Sequence, residues 1–431
     1  MIQRPILFET TRMIARSWSG RSPTGIDRVC HAYLRHFGPR AQAVVQHRGV
    51  VRILSTRHSD ELFAMLDDME GKRRQRIVSL ALRAWHEATP QRDSGGAVYL
   101  NVSHTDFDLP SHARWVRKCR LRPVYFIHDL IPITHPQYCT PRAVARHQGR
   151  VVGALRTAAG IVVNSRSTAD HLTRFARENT LPLPPLAIAP LAVDGPDDPA
   201  EPVRCGRPYF LCLGTIEARK NHCLLLEVWL RLIIQYGVDA PRLVIIGQWG
   251  AKSDPVREML RRHTALRRYV TLITRCTDRE VHDWIAGAEA LLMPTLAEGF
   301  GLPLVEALAS GTPVIASDLP CFRESGGGIP CLLDPTKPAD WTQTIADFSA
   351  PWGDRKRQLR MLSSYRPQRW RDHFPPIEAW LASLPHPANE QDTAATPSHQ
   401  ILAGIPITRA NSVDHGVSLV QQPRRVAEVR P

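Results

Sequence analysis

Short apolar runs alternate with longer amphipathic stretches along most of the chain. In the first half, such runs occupy residues 97–102, 123–127 and 160–163, and polar residues follow each of them. Short apolar runs of this kind are typical of buried strands. Residues 141–159 and the strongly charged stretch 59–90 have instead the spacing of helices. The first half is therefore predicted to alternate between strands and helices.

The second half continues this alternation after a proline-rich segment. Strands are predicted at 208–214, 243–247 and 270–273, and helices at 221–236 and 278–288. An alternation of strands and helices predicts parallel, doubly wound sheets. We therefore expect an α/β protein with two Rossmann-like domains that face each other across a cleft.

The distribution of prolines and low-complexity sequence suggests the domain boundaries. Residues 178–207 contain seven prolines, a density that disfavours helices and central strands and predicts a linker. The predicted organisation is an N-terminal domain at 1–195 and a C-terminal domain at 196–365. A helix at 366–385 should then cross back to the first domain. Residues 386–431 are rich in Pro, Ala, Ser, Thr and Gln, which predicts a disordered tail.

One strand, turn and helix pattern in the second half has a chemical meaning. The apolar strand 290–293 is followed by Gly299 and Gly301, where the backbone can approach a ligand closely. Pro303 suits a first helical turn, and Gly311 marks the end of that helix. A helix N-terminus behind a glycine turn presents free N–H groups and the positive end of the helix dipole. Such a site binds anions, most often phosphate.

Two carboxylates flank this predicted anion site. Glu298 lies in the turn, and Glu306 lies about one helical turn inside the helix. Carboxylates accept hydrogen bonds from hydroxyl groups. Phosphate donors between two hydroxyl acceptors indicate a pocket for a sugar nucleotide.

The stretch resembles the signature of retaining glycosyltransferases of family 4, which reads E-G-F-G-L-P…E-A…G-x-P-V and matches residues 298–314. The resemblance implies the GT-B fold, with an acceptor-binding domain before a nucleotide-sugar-binding domain. It implies that Glu306 binds the ribose hydroxyls and that Glu298 contacts the transferred sugar near its C3 or C4 hydroxyl. Further donor contacts are implied, partly through backbone N–H groups, for Gly299, Phe300, Gly301, Leu304 and Val305.

A second block of the same resemblance follows the first strand of the C-terminal domain. Gly214 and Thr215 open it, and Arg219, Lys220 and Asn221 close it, in the family pattern G-T-x-x-x-R-K-N. Arg219 and Lys220 resemble the pair that grips the donor diphosphate. Two fixed cations can stabilise the negative charge that develops on a leaving diphosphate. The sequence contains no evident metal cluster, so neither a metal nor a cofactor is expected.

Two shorter motifs in the first half complete the resemblance. His128 and Asp129 lie in an H-D-x-x-P pattern after a central strand, which places His128 near the anomeric carbon. It would orient the acceptor or sugar rather than act as general base, since the donor phosphate of such enzymes is thought to take the acceptor proton. Gly25, Asp27 and Arg28 lie in a T-G-I-D-R string that implies donor or acceptor contacts. Asp27 can equally serve only the start of a helix.

Composition restricts the partners and the compartment. The 431 residues have a net charge of +14, and residues 1–195 hold 28 Lys and Arg against 15 Asp and Glu. This excess suits nucleic acid, an anionic membrane or a phosphorylated acceptor, or is only an arginine-rich solvated surface. Nine cysteines without a C-x-x-C pair are typical of reduced thiols in a cytosol. No apolar run is long enough for a transmembrane helix, and no secretory signal is evident.

The resemblance implies a metal-independent, retaining transfer from a nucleotide-sugar, with GDP-mannose as the first candidate and a UDP-sugar as the alternative. The expected acceptor is a lipid-linked or growing polysaccharide at the inner face of the cytoplasmic membrane. The expected location is the cytoplasm, with peripheral contact to anionic membrane and no nucleic-acid partner. The rival hypotheses are an epimerase or phosphorylase of the same fold, or a nucleic-acid or membrane-binding protein on an inactive transferase scaffold.

Overall fold

The described part of the chain forms two mainly parallel β-sheets with helices on their faces. The computed structural model describes residues 4–19, 24–47, 49–67, 73–85, 95–194, 199–348 and 353–386. We call the first sheet with its helices the first lobe and the second sheet with its helices the second lobe. The predicted α/β class with two doubly wound sheets is confirmed.

The first sheet lies within the first half of the chain. Its strands are β1 (Ile6–Glu9), β2 (Ala41–His47), β3 (Val50–Ile53), β4 (Val98–Asn101), β5 (Arg122–Ile127), β6 (Gly160–Val163) and β7 (Leu186–Ile188). Their spatial order is β3-β2-β1-β4-β5-β6-β7. Only β3 pairs antiparallel among these described strands, against β2. The carboxyl ends of β1, β4, β5 and β6 therefore meet at one edge.

Helices cover both faces of this sheet. They are α1 (Thr11–Ser19), α2 (Gly25–Phe37), α3 (Thr56–Asp67), α4 (Arg73–Trp85), α5 (Pro110–Lys118), α6 (Ile131–Thr134), α7 (Pro141–Thr157) and α8 (Arg166–Glu178). The central strand β5 shows why both faces must be covered. Val124 and Phe126 point into one core, whereas Tyr125 and Ile127 point into the other, and all four are fully buried.

The second sheet is entirely parallel in the described part of the chain. Its strands are β8 (Tyr209–Leu213), β9 (Arg242–Ile246), β10 (Val270–Ile273), β11 (Ala290–Met293), β12 (Val314–Ser317) and β13 (Cys331–Leu333), in the order β10-β9-β8-β11-β12-β13. Strands β8 and β11 are neighbours, so the loops after them lie side by side. The topological switch between β8 and β11 is where such sheets bind ligands.

Helices also flank the second sheet, and the last one leaves it. They are α9 (His222–Tyr236), α10 (Asp254–Arg262), α11 (Leu266–Tyr269), α12 (Asp278–Gly287), α13 (Leu302–Ala309), α14 (Pro320–Gly326), α15 (Pro338–Phe348), α16 (Asp354–Leu362) and α17 (Trp370–Ser383). Helix α17 packs on the first lobe. Its Phe374 ring lies 5.1 Å from the Tyr33 ring, and a side chain on Gly160 would meet Trp380 at 2.6 Å.

The chain passes between the lobes twice, and the two crossings lie side by side. Val193, on the way out of the first lobe, donates its N–H to the Gln368 carbonyl at 3.1 Å. The His373 ring, in α17, bonds the Pro190 carbonyl at 2.9 Å through Nδ1 and the Tyr33 hydroxyl at 2.9 Å through Nε2. The return helix predicted at 366–385 therefore corresponds to α17 and the residues before it.

Several expectations about the connecting segments need comment. The proline-rich segment 178–207 includes strand β7, which the prediction of a linker missed. This strand lies at the sheet edge, where prolines are tolerated because one side of the strand needs no partner. The boundary placed at 195 lies outside the described residues and stays a prediction, as does the tail beyond residue 386. The helical stretch predicted at 59–90 includes most of α3 and all of α4, and its residues 68–72 and 86–90 lie outside the described residues.

No helix of the described residues has the length and apolar character that crossing a bilayer requires.

Candidate active site

Glu298 of the second lobe holds two cations at one carboxylate oxygen. Lys220 Nζ donates to Glu298 Oε2 at 2.5 Å, and Arg219 Nη1 donates to the same atom at 3.1 Å. Arg219 Nη1 also donates to the Ala297 carbonyl at 2.8 Å. The three charged side chains are between 14 and 19% exposed. We call Arg219, Lys220 and Glu298 the charged centre.

Glu298 and Arg219 stay ionised despite their burial. Burial alone would raise the pKa of Glu298, but the charges of Lys220 and Arg219 outweigh it and lower the pKa to about 2. Burial would likewise lower the pKa of Arg219, yet Glu298 and Glu217 together raise it. Glu217 Oε1 accepts from Arg219 Nε at 3.0 Å and from Nη2 at 2.7 Å. An anion arriving here meets cations that are already fixed in place.

The backbone that follows β8 shapes the surroundings of Lys220. Asn221 has a left-handed conformation with φ of 56°, which Asn tolerates better than most residues. Gly214 has φ of 124°, and a side chain there would lie 3.6 Å from Lys220 Cε. Thr215 packs against Gly250, where a side chain would meet the Thr215 methyl group at 2.4 Å. Gly214 and Thr215 therefore shape the wall beside Lys220.

The glycine turn packs against the first lobe at Gly299. A side chain at Gly299 would lie 2.4 Å from the His128 carbonyl oxygen and 3.0 Å from Asp129 Cβ. Ser165 Oγ, at the start of α8, donates to the Gly299 carbonyl at 2.7 Å. The sequence explained this glycine by close approach to a ligand. In the structure the neighbour that requires glycine is the end of β5.

Gly301 is the N-cap of α13 and has φ of 97°, so a side chain there would be strained and would also meet Phe322. The helix that follows uses two of the N–H groups predicted to bind the donor. Leu304 and Val305 donate to the Gly301 carbonyl at 3.0 and 3.4 Å. These two groups are therefore engaged inside the helix in this structure, and their binding of phosphate or sugar stays a prediction. The N–H groups of Phe300 and Gly301, which lie ahead of the helix, are the other predicted donors.

Glu306 forms an ion pair with a residue of the other lobe. Arg28 Nη1 donates to Glu306 Oε1, and Arg28 Nη2 donates to Asp278 Oδ1 at 3.1 Å. The charge of Glu306 makes the largest contribution in raising the pKa of Arg28. Helix α2, which carries Arg28, begins beside α13, since a side chain on Gly25 would lie 3.5 Å from Leu302. Two helix N-termini thus meet between the lobes.

Asp27 serves the helix start, the alternative that the sequence left open. Its Oδ2 accepts from the Thr24 N–H at 2.8 Å and the Thr24 hydroxyl at 2.7 Å, which forms a capping box. Arg12 Nε donates to Oδ1 at 2.7 Å, and Arg16 Nε lies 3.1 Å from Oδ2. Both oxygens are therefore engaged and the side chain is buried. The expected substrate contact by Asp27 is not supported.

His128 lies at the end of β5, in the wall that faces the glycine turn. Its Nε2 bonds the Val102 carbonyl at 2.8 Å, so the proton is on Nε2 and Nδ1 carries the lone pair. Burial lowers the pKa of His128 to about 4, and the ring is neutral near pH 7. Asp129 does not bond the ring. Its carboxylate accepts from the Ile131 N–H at 2.9 Å.

The polar residues predicted at the strand ends do come together. The His104 ring centroid lies 5.0 Å from that of His128, and His104 Nε2 accepts from the His128 N–H at 3.2 Å. Asn164 donates its side-chain amide to the His128 carbonyl at 2.8 Å. His128 is consequently fixed in place by both neighbouring strand ends.

A cavity of about 820 Å³ opens between the two lobes, and His128 is not among the residues that line it. Helix α2 lines one side, α12 and α13 line the other, and Trp370 and Phe374 of α17 close one end. Glu306 and Arg28 line this cavity, whereas the charged centre does not. The two glutamates of the predicted donor site therefore have different surroundings. Glu306, the candidate for binding ribose hydroxyls, lines the cavity, whereas Glu298 lies outside it.

Sequence reasoning missed several residues that hold the site together. Glu217 shares Arg219 with Glu298, and its position two residues before Arg219 was the available signal. Glu324 accepts from the Arg166 N–H at 2.9 Å with both oxygens, and so caps α8 from the other lobe. His147 bonds the Asp129 carbonyl at 3.0 Å. No local pattern marks these last two contacts, because each joins residues far apart in sequence.

The arrangement of the two lobes is that of the GT-B fold. The structure is similar to the Anabaena protein Alr3699/HepE in complex with UDP and glucose, with a TM-score of 0.58 and 15% identity, over 88% of this chain and 99% of that one. It is also similar to sucrose-phosphate synthase from Thermosynechococcus elongatus, with a TM-score of 0.55 and 14% identity, over 88% of this chain and 98% of that one. At these identities the likeness defines the fold alone.

Residues 207–350, which include most of the second lobe, match the family described as Glycosyl transferases group 1. The chain is 26% identical over 243 residues to the serotype-specific mannosyltransferase WbdA of Escherichia coli, which is 52% of this chain but only 29% of WbdA. It is 25% identical over 276 residues to O-antigen chain mannosyltransferase B of Escherichia coli, 61% of this chain and 68% of that protein. A D-inositol 3-phosphate glycosyltransferase of Streptomyces bingchenggensis is 28% identical over 290 residues, 60% of this chain and 61% of that enzyme.

Proposed function

We propose that the protein is a retaining glycosyltransferase that moves a sugar from a nucleotide-sugar to a lipid-linked or growing polysaccharide acceptor. The observation that carries the proposal is the charged centre beside the N-terminus of α13, with Glu306 further along the same helix. GDP-mannose is the first candidate donor, since two of the relatives, WbdA and O-antigen chain mannosyltransferase B, are named mannosyltransferases. A UDP-sugar is the alternative, favoured by the UDP and glucose bound in the Anabaena structure.

The diphosphate would lie between the two lobes in this proposal. The N–H groups at the start of α13 and the cations Arg219 and Lys220 offer it donors and positive charge. Glu298 already occupies both cations, so donor binding would redistribute these contacts rather than create a cationic site. A sugar hydroxyl would then take one of the places at the Glu298 carboxylate.

Transfer with retention places the acceptor on the same face of the sugar as the leaving diphosphate. The acceptor oxygen forms a bond to the anomeric carbon while the bond from that carbon to the diphosphate oxygen breaks. The acceptor proton passes to a diphosphate oxygen. Arg219 and Lys220 stabilise the charge that develops on the diphosphate, so the proposal requires no metal ion.

In this scheme the His128 ring would line the sugar site and accept a hydrogen bond from a hydroxyl group. The neutral ring and the Val102 contact leave Nδ1 as an acceptor for a hydroxyl group. Because the His128 carbonyl and N–H are bound by Asn164 and His104, the ring has a defined position. An imidazole fixed in this way suits orientation of the donor sugar or the acceptor.

A thermal-shift screen against GDP, UDP, ADP and their sugar conjugates tests the proposal. A ligand that binds only the native state raises the melting temperature by an amount that grows with the logarithm of its free concentration relative to its Kd. We expect GDP and GDP-mannose to give the largest shifts. A larger shift with UDP and a UDP-sugar would move the assignment to the alternative donor, and no shift with any nucleotide would contradict a transferase. The rival role in nucleic-acid binding predicts instead DNA binding that weakens steeply with salt.

Replacing Glu306 with glutamine is expected to weaken binding of the nucleoside diphosphate about tenfold, because ribose hydroxyls lose a charged acceptor. Isothermal titration with GDP and UDP measures the effect. Arg28→Gln is the matched control, since it removes the same ion pair but keeps the Glu306 carboxylate. Equal loss of affinity in the two variants would assign the effect to contact between the lobes and would contradict the ribose role.

A further inference from the structure

An apolar surface of the first lobe is exposed between α1 and α4. Trp18 in α1 is 46% exposed, and Val78 and Leu82 in α4 are 43 and 64% exposed. A shallow groove joins these side chains and is lined by Trp18, Gln75, Val78, Ser79, Leu82 and Arg83. We call this surface the α1–α4 face.

Helix α4 carries more apolar surface than the packing of the lobe uses. Ile77, Leu80 and Ala84 are buried against the lobe and account for its attachment. Val78 and Leu82 are four residues apart and so lie next to each other on a second side of the helix, which faces outwards. Burial of a Leu or Val side chain is favourable, so a contiguous exposed pair beside a tryptophan indicates a surface that another phase or molecule covers.

The charge of the helix indicates what that partner is. Helix α4 contains Arg73, Arg74, Arg76 and Arg83 and no Asp or Glu, and α1 contains Arg12 and Arg16 and likewise no acid. Arg83 pairs with Glu61 of α3, whereas Arg12 and Arg16 pair with Asp27. A helix that combines arginines with exposed apolar and aromatic side chains is typical of segments that lie on anionic membrane surfaces.

Charge complementarity favours lipid over a second copy of the chain. Two α1–α4 faces in contact would bring together helices that carry arginines and no acidic residues, which is unfavourable. An anionic leaflet attracts the arginine-rich helix α4, by roughly a fivefold change in partitioning for each arginine that lies near the lipid, and accepts the apolar side chains into its interfacial layer. The first residues of α1 follow β1 directly and so lie at the carboxyl edge of the sheet, the edge that carries His128.

We propose that the α1–α4 face docks the protein on an anionic lipid surface, with Trp18, Val78 and Leu82 in the headgroup layer. This rests on the proposed function only for its purpose, since docking there would bring the cleft to a lipid-linked acceptor. The contact itself requires neither the nucleotide nor the acceptor.

Co-sedimentation of the full chain with vesicles tests the proposal, using phosphatidylglycerol mixed with phosphatidylcholine, and phosphatidylcholine alone. We expect binding to the anionic vesicles that falls as salt is raised, and little binding to the neutral ones. The double variant Val78→Glu with Leu82→Glu should bind the anionic vesicles at least about tenfold more weakly, because apolar contacts are lost and negative charge is added.

Ile234→Glu is the matched control, since Ile234 of α9 is 86% exposed and lies on the second lobe. It should bind vesicles like the unaltered protein. Equal binding to neutral and anionic vesicles, or equal loss in both variants, would overturn the proposal. A dimer in sedimentation equilibrium that the double variant dissociates would assign the face to a second copy instead. The thermal shift with nucleotide should be the same in the double variant, which separates this test from that of the proposed function.

Discussion

Replacing Lys220 with alanine is expected to lower kcat by about 10²- to 10³-fold, with a smaller change in KM for the nucleotide-sugar. Lys220 Nζ lies 2.5 Å from Glu298 and in the wall shaped by Gly214, so its charge is fixed where the diphosphate would leave. A charge that acts on the leaving group stabilises the transition state more than the bound substrate. Steady-state kinetics with the donor identified by the thermal-shift screen measures the effect.

Lys337→Ala provides the control for this variant. Lys337 belongs to the same lobe, is 61% exposed and lies 3.8 Å from Asp334. Its loss removes a lysine without changing the charged centre, so kcat should be unaltered. A Lys220→Ala variant that raised KM and left kcat unchanged would show that Lys220 binds the ground state only, which contradicts the role in the transition state.

Replacing Glu298 with glutamine is expected to lower kcat about a hundredfold or more, and to retain or tighten nucleoside diphosphate binding. The sugar would lose a charged acceptor, whereas Arg219 and Lys220 would gain freedom to bind phosphate. Parallel measurements of turnover and of GDP or UDP affinity separate the two effects. Lower affinity for the diphosphate would contradict the idea that Glu298 and the diphosphate share the same cations.

The same variant has an expected effect on stability that depends on pH. The pKa of Glu298 falls from an ordinary 4.5 to about 2 on folding, so the ionised group stabilises the native state above pH 4.5. The contribution is about 3 kcal/mol near neutral pH and is lost as the pH falls towards 2. Urea unfolding of the two proteins should therefore differ most near pH 7 and converge in acid. A difference independent of pH would show that the Glu298 pKa is not depressed.

Asp318→Asn is the control for stability. Asp318 pairs with Arg323 at the surface, where the carboxylate is 37% exposed and the arginine 64% exposed. Exposed pairs of this kind contribute about 1 kcal/mol or less. The change in unfolding free energy should accordingly be much smaller than for Glu298→Gln.

The fold could be predicted from local patterns because parallel strands are buried on both faces. The apolar runs at 123–127, 160–163 and 290–293 correspond to β5, β6 and β11 almost residue for residue. Strands β1, β2, β3 and β13 were not predicted. Strand β7, a short edge strand among prolines, was also missed, because edge position relaxes the rule that excludes proline. Local sequence does not show which strand will lie at the edge of a sheet. A proline-rich edge strand such as β7 is therefore missed by any prediction from local patterns.

The site could be predicted only as far as its residues share a local pattern. The R-K-N block and the glutamate turn were identified separately, and the structure brings Arg219, Lys220 and Glu298 into direct contact. The reason for Gly299 could not be inferred, because its neighbour is the His128 carbonyl of the other lobe. The ion pair between Arg28 and Glu306 could not be predicted for the same reason, because it also joins the two lobes. Contacts between lobes depend on their packing, which periodicity does not report.

The double crossing of the chain has a consequence for how the protein opens. The two connections between the lobes lie side by side and are joined by the Val193 to Gln368 hydrogen bond. One connection alone would let the lobes twist and slide against each other. Two adjacent connections restrict both motions, so rotation about the axis through the connections is the motion that costs least. Every cycle of opening should therefore return the glycine turn to the same position opposite β5, so that substrate exchange does not disturb the alignment of the reacting groups.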